Sequence, residues 1–584
     1  MRNRSRGRLR GVALLFLCSL SLSLPTRGAE PKVSISSRSS DLIIVGSGIA
    51  GLAAALEAAQ AGAKVTVIDR ASVFGGHAVM SGADIAMVNT PLQRAHGIHD
   101  SPEIAYKDFT DWGIDANPDW VRYYVDHSGT EIYDWLVGLG VKFTGFTPYP
   151  GNSVPRAHKT RGLGLGLVRP VYLACLKQRN IVFVWNTEAI RLLSDHGAIG
   201  GVVAKNLRTG EISEFAAATV VLATGGFQSN TALALANWPS DLPKPPVLLA
   251  GSGVNSTGSG LTLATEAGAA LSRLDHQWNY ERGLPDPRYP GMNRGLNAVV
   301  QGLRVNASGT TLDSGAQSSD EALRLILNQP GATFWTVFDE KHKRSFWISG
   351  SDWAQFDTIQ RTILDNPLIV KKASTLAGLA EMTGLPRELL EKSIARHNEH
   401  GDKIDTPPFY AAQFYPMTRK SMGGIVIDSS ARVLDRESRA IRGLYAAGEA
   451  TGEAGINGKR ALEGTFLGPA ILTGRIAART AIADFRIGGQ VSITPAKIPG
   501  EFAGKPLTAG SVSSATCSGC HPLSTLIKMP RDGYWHFERA HEAILNVHRD
   551  CVQCHAGMGA PLTLQHRIDP AALAGKCGIC HRSL

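Results

Sequence analysis

"DLIIVGSGIAGLAAALEAAQAGAKVTVIDRA", residues 41–71, decides the fold. "LIIV" is a short apolar, β-branched run and reads as a buried strand. "GSGIAG" follows, then an Ala/Leu-rich helical stretch to about Ala61. "KVTVID" is a second strand, ending in Asp69. G-x-G-x-x-G between a strand and a helix is the dinucleotide-binding fingerprint. Gly46 permits the tight turn, Gly48 lets the backbone approach a pyrophosphate, and Gly51 lets the helix pack on the strand. Backbone N–H groups at the helix start face the phosphates. Asp69 stands where it accepts from the adenosine ribose. By itself the motif does not separate NAD from FAD.

Two later segments have the same form. "TVVLATGGFQSN" (219–230) is a buried strand ending in a Gly pair that begins with Gly225. "IRGLYAAGEATGE" (441–453) is a strand, then a Gly/Ala turn carrying Glu449. Each brings a strand end to one crevice. The expected fold class is therefore α/β and Rossmann-like.

At 584 residues the chain is too long for one ordinary core, so two or three domains are expected. Apolar residues at 43% and charged residues at 19% fit a folded, soluble globular protein. The first 29 residues place a basic stretch before an apolar run from Val12 to Leu24, then Pro25 and small residues. They read as a secretory signal peptide (1–29), because the run is shorter than the ~20 residues of a spanning helix. The signal carries six arginines and no acids, so the formal charge of +10, less six, becomes +4 after cleavage. The basic balance is no argument for nucleic acid, and no recognition motif for it is present.

Of eight cysteines, six fall in three copies of one motif: "CSGCH" (517–521), "CVQCH" (551–555) and "CGICH" (577–581). C-x-x-C-H is the attachment signature of c-type haem. Cys517 and Cys520, Cys551 and Cys554, and Cys577 and Cys580 would each bind one porphyrin covalently. His521, His555 and His581 would be the proximal iron ligands. A zinc site is disfavoured because each His directly follows its Cys pair. His536, His541, His548 and His566 are the candidate distal ligands, with Met529 and Met558 as alternatives. Residues 488–516 read as a linker and 517–584 as a triheme domain. Cys18 leaves with the signal. Cys175, in "YLACLKQ", reads as a small buried hydrophobe.

From about residue 41 to 485 the chain resembles the flavocytochrome c and fumarate reductase flavoproteins, which bind FAD. The resemblance rests on "VGSGIAGLAAALEA", "GGHAVMSGADIAMVNTPLQ", "ATGGF", "SMGGIVID" and "GLYAAGEATG". It implies that Gly46, Gly48, Gly51 and Asp69 hold the ADP portion. Gly75, Gly76, Ser81 and Gly82 then lie along the pyrophosphate and ring, and Glu449 meets the ribityl chain. His77 stands where the family usually has Asn or another small polar residue. It is placed to tune the flavin or simply to pack. The resemblance also implies an α+β capping domain (274–412) between two parts of the FAD-binding domain (40–273 and 413–487). The helix "RELLEKSIARHNEH" (387–400) reads as scaffold within the cap.

The implied function is a periplasmic flavocytochrome c that moves electrons between c-type haems and FAD to reduce an activated C=C bond. Membrane-anchored or periplasmic cytochromes, or a quinol dehydrogenase, would be its electron partners. The alternatives are a ketosteroid-dehydrogenase-like enzyme passing electrons out to the haems, and a non-catalytic electron carrier. The family usually carries its haems at the N-terminus, whereas here they are at the C-terminus. Fumarate reductases of this family use an Arg proton donor and further His and Arg side chains on two carboxylates. Aligned by eye, the first such His falls near Tyr280, the donor Arg near Thr311 and the second His near Lys420. Only the late Arg has a counterpart, Arg460; a gap would let Arg294 or Arg304 take the donor's place. The expected substrate is thus a small unsaturated acid other than fumarate, as for urocanate reductase. Its one anion would be held by Arg460 and Lys420, and Tyr280 or Arg282 would be the proton donor.

The mature protein is expected to contain one FAD and three covalent haems. A pyridine-haemochrome assay giving only one or two haems per flavin would overturn that count.

Overall fold

The computed structural model describes residues 40–488, apart from 313, 314, 316, 317 and 401. The signal peptide, the linker beyond 488 and all the haem-motif cysteines and histidines lie outside the described residues. The elements that position the site are β1 (Ser40–Val45), α1 (Ile49–Gln60), β2 (Val65–Ile68), β3 (Ile181–Val184), β4 (Ile212–Leu222), β5 (Gln277–Pro285), β6 (Phe409–Ser421), β7 (Ala440–Ala446) and α2 (Leu467–Gly488).

The first sheet runs β7–β4–β1–β2–β3 in parallel, with a short strand, Arg432–Leu434, antiparallel on its β7 edge. Leu42 pairs with Val65 and Val45 with Ile68, as the two apolar runs predict. Both faces are covered, so β1 and β2 are apolar almost throughout. Small residues bring the helices close. A Cβ on Gly51 would overlap the carbonyl oxygen of Gly46, and one on Gly474 would overlap that of Ala50. α1 and α2 therefore meet backbone to backbone. Beyond that contact, Glu57 receives Arg475 at 2.7 Å and Arg479 at 2.6 Å. Cys175 is fully buried in this core, and burial pushes its thiol up to about 12.

The second sheet is built on β6. It is flanked by β5 on one side and Phe334–Asp339 on the other. The stacked pairs Phe334–Phe414 and Phe338–Tyr410, with ring centres 5.2 Å apart, fill its core. β6 begins in that core and ends beside the first sheet, so the boundary expected at 412/413 falls inside a continuous strand. Two irregularities interrupt the β5–β6 ladder, between Trp278 and Asn279 and between Tyr280 and Gly283. Such bulges re-aim side chains, here those of 280 and 282. The helix Arg387–His400 buries Leu390 and Ile394 and packs as scaffold. A small third sheet (Asp84–Ala86, Ala157–Thr160 and Phe143–Thr147) closes one side. Beside it the fully buried Arg156 pairs with Asp100 at 2.9 Å and also with Asp108.

Gly51→Ala is expected to lower stability by about 1–3 kcal/mol, the usual cost of forcing atoms into a packed core. Urea unfolding should show a lower midpoint at unchanged slope. An unchanged midpoint would show that the helix–strand contact is looser than described.

Candidate active site

A cavity of about 1250 Å³ opens at the carboxyl ends of β1, β2 and β4. This is where open α/β sheets bind ligands. Asp69 and Arg70 line one end, and Tyr280, Arg282, Arg419, Lys420 and Glu463 line the other.

At the first end, Asp69 accepts from Ser47 N (2.6 Å), Ser47 Oγ (2.7 Å) and Ala71 N (2.7 Å). Burial raises its pKa against these donors. The carboxylate thus clamps the glycine turn and keeps spare lone pairs facing the cavity. Gly48 begins α1 with no side-chain cap, and a Cβ there would meet nothing within 4 Å, so the helix N-terminus is open to the groove. Gly75 and Gly76, both with positive φ, bring the next loop against Gly48. Gly46, Gly76, Ser81, Gly82, Gly225 and Glu449 line the same cavity, whereas Gly51 and Gly75 lie behind it and act through packing.

Midway, Glu449 accepts from Ser421 N at 3.0 Å and lies 3.4 Å from His77 Nδ1. Burial, aided by the Arg419 charge, pushes His77 down to about 4, so the ring is neutral near pH 7. Its Nε2 is buried and has no hydrogen-bond partner among the described residues. An open helix N-terminus, a carboxylate at the second strand end and an orphaned imidazole nitrogen on one wall fit the phosphates, ribose and ring system of FAD.

At the far end, Tyr280 Oη donates to Glu463 Oε1 at 3.0 Å. The Arg282 guanidinium lies 4.8 Å over the Tyr280 ring and donates to Asn297 at 2.9 Å. Lys420 Nζ sits 3.9 Å over Phe466 and 5.0 Å over Trp278, and makes no ion pair among the described residues. Burial pulls this lysine down to about 8, with Glu463 opposing. Arg419 is buried on the carbonyls of Gly251 and Met80, also without a carboxylate partner among the described residues. Burial holds Tyr280 well above the usual phenol range, and the Glu463 charge adds to this.

The structure brings Tyr280, Arg282 and Lys420 together but leaves Arg460 outside. The backbone N–H groups of 459 and 460 bond Gly113 O, and Lys459 N bonds Asp115. That pins the turn outward, and Arg460 lies over Trp112, 3.9 Å from Asp320. Arg294 bonds Ser229 at 2.8 Å and Arg304 faces Glu281 at 3.8 Å, both off the cavity wall. Sequence reasoning passed over Arg419, Glu453 and Glu463. Arg419 and Glu453 lie beside or inside Gly-rich segments already singled out, and Glu463 lies three residues beyond Arg460, which was the available signal.

A family model for the FAD binding domain matches residues 41–467. The chain belongs to that family. It is 30% identical to a KsdD-like steroid dehydrogenase of Mycobacterium tuberculosis, the match covering 76% of this chain and 96% of that protein. It is also 30% identical to a fumarate reductase (cytochrome) of Shewanella frigidimarina, covering 76% of each. The open conformation of a flavocytochrome c3 fumarate reductase superposes with a TM-score of 0.65 at 26% identity, over 77% of this chain and 79% of that one. The protein is an FAD-dependent oxidoreductase with a mixed α/β FAD-binding fold.

A chain cut after Gly488 is expected to retain FAD and to accept electrons from a small artificial donor, because the described residues that line the cavity lie before that point. Flavin absorbance after gel filtration checks this. Loss of flavin would show that the tail supports the fold.

Proposed function

We propose that the protein is a periplasmic flavocytochrome c that reduces the activated C=C bond of a small unsaturated acid bearing one anionic group. The electrons would come through three C-terminal c-type haems from periplasmic or membrane-anchored cytochromes or a quinol dehydrogenase. Action on CH–CH bonds is supported by relatives of two kinds, a fumarate reductase and a steroid dehydrogenase. The observation that carries the substrate class is Lys420, an ammonium inside the cavity that lies over two aromatic rings and makes no ion pair among the described residues.

Bound FAD supplies hydride-transfer chemistry. The chain must bind and orient the acid, exclude water and supply a proton. Lys420 would hold the anion, with Arg282 in place of the outward-turned Arg460. Tyr280 would be the proton donor, and its raised pKa keeps it protonated until it is used. Glu453 and Glu463 share the cavity, so a second carboxylate would meet like charge or a proton-bearing acid. Fumarate is therefore a poor fit. The haem tail matches two-electron chemistry at FAD to one-electron carriers.

A panel of unsaturated mono- and dicarboxylic acids, offered with a reduced viologen dye, tests the reading. Turnover of a monocarboxylate is expected, and fumarate reduction at enzymatic rates would overturn it. One observation favours a second reading, oxidation of a saturated C–C bond: the match to the steroid dehydrogenase spans nearly that whole protein. Haem reduction on adding a saturated substrate without dye would establish it.

Lys420→Met is expected to raise KM at least tenfold while changing kcat little. In the unaltered protein KM should rise as pH climbs through about 8, because the ammonium that holds the anion is then lost. A flat KM between pH 7 and 9 would remove Lys420 from the anion site.

A further inference from the structure

We infer that Glu463 and Tyr280 form a two-member proton relay, in which Tyr280 exchanges protons with the substrate and Glu463 exchanges them with solvent. The inference rests on the reading of the site as a CH–CH oxidoreductase with Tyr280 at the reacting end.

Three observations carry it. The phenol of Tyr280 is 4% exposed, and its one hydrogen-bond partner among the described residues is Glu463, at 3.0 Å. Glu463 is only partly buried and lines the cavity, so it has the access to water that Tyr280 lacks. Glu463 itself makes no ion pair among the described residues, although Arg282, Arg419 and Lys420 line the same end of the cavity.

A phenol so deeply buried does not hold a negative charge, because desolvation penalises the phenolate. It passes a proton only if a neighbour replaces that proton in the same event. In reduction, the substrate carbon has taken a hydride and needs a proton. The Tyr280 O–H bond breaks as the new C–H bond forms. Glu463, which accepts from Tyr280 in the resting arrangement, first takes a proton from water in the cavity; its O–H bond then breaks as the Tyr280 O–H bond re-forms. Glu463 is left as a carboxylate among three cations and is reprotonated from water in the cavity. In oxidation the same steps run backwards, and the arrangement seen, with Tyr280 donating to Glu463, is the one ready to start. The charged and titratable groups electrostatically coupled to Glu463 are Tyr280 and Arg282 on β5, Arg419 and Lys420 on β6, and Asp84 and Tyr149 on the third-sheet side, where Tyr149 donates to Asp84 at 2.7 Å. Glu463 acts through Tyr280 and is a positioning residue in that sense; only Tyr280 would touch the substrate.

The test uses the full-length, FAD-loaded protein. Glu463→Gln keeps the shape and the hydrogen bond but cannot carry the proton. With a monocarboxylate substrate and reduced viologen, E463Q and Y280F are each expected to lose about 100-fold in kcat with KM within about threefold. The double variant should be no slower than Y280F alone, because members of one relay are not additive. A second readout needs no substrate: in the infrared difference between FAD-reduced and oxidised protein, a protonated-carboxyl band should appear, disappear in E463Q and shift in Y280F. Independent, multiplying losses in the double variant, or the absence of that band, would overturn the relay. If the band behaves as expected but no unsaturated acid is reduced, the proposed reduction fails and the relay stands. If acids are reduced but the band is missing, the relay fails and the function stands.

Discussion

The site depends on one continuous strand. β6 starts among the stacked aromatics of the cap and ends at Ser421, whose N–H binds Glu449 in the turn that follows β7. Its last residues carry Arg419 and Lys420 into the cavity. Met417, fully buried, is the pivot. A Cβ on Gly283 would come within 2.7 Å of its Cβ, one on Gly295 within 2.9 Å of its sulfur, and one on Gly251 would overlap the sulfur. Three glycines therefore make room for one unbranched side chain, where adaptable thioether packing replaces shape matching. Any shift there would move the two cations and the Glu449 contact together.

The glycine fingerprint was legible because its requirements are local. Gly46, Gly48 and Gly51 are spaced by the geometry of one turn and one helix, and the strand register followed from two apolar runs. Lys420 and Tyr280 were legible as site residues because alignment set both against the family's substrate-binding histidines, Lys420 just before "SMGGIVID". Arg460 was not, because its direction is set by bonds to Gly113 and Asp115, some 350 positions away in the chain. Glu463 lies three residues on, past that pinned turn, and faces the cavity instead. The expected cap boundary at 412/413 lies within β6, and a strand that runs on from one core to the next shows no break in sequence.

The electrostatics of the far end follow from burial rather than from pairing. Arg419 and Lys420 are adjacent cations with no ion pair among the described residues; Arg419 pushes the charged form of Lys420 up in energy, and Arg282 does the same to Arg419. Arg419 is tolerated because it donates to two carbonyls. Lys420 lies over two aromatic faces, a weaker form of compensation, and feels the Glu463 charge without pairing to it among the described residues. An arrangement that leaves a cation so poorly satisfied favours an anionic ligand, which would relieve the desolvation cost of both. The neutral His77 fits the same logic, since a third positive charge beside Arg419 would raise that cost further.

A second departure from easy packing lies at residues 452–455. Gly452, Glu453, Ala454 and Gly455 all have positive φ, between 55° and 75°. Left-handed geometry costs a side-chain-bearing residue roughly 1–2 kcal/mol, so Glu453 and Ala454 carry strain that the flanking glycines do not. The turn cannot relax by moving the glycines, because a Cβ on Gly452 would overlap Met422 and the chain runs tight against β6's exit. The strain delivers a carboxyl that is 2% exposed, with one oxygen lacking a partner among the described residues, to the cavity wall between Glu449 and Lys420. Burial and the Glu449 charge hold that carboxyl well above the usual range, so it presents a proton rather than a charge. Beside Lys420 this matters: an ionised Glu453 would satisfy the ammonium internally, whereas a neutral one leaves it free for a ligand.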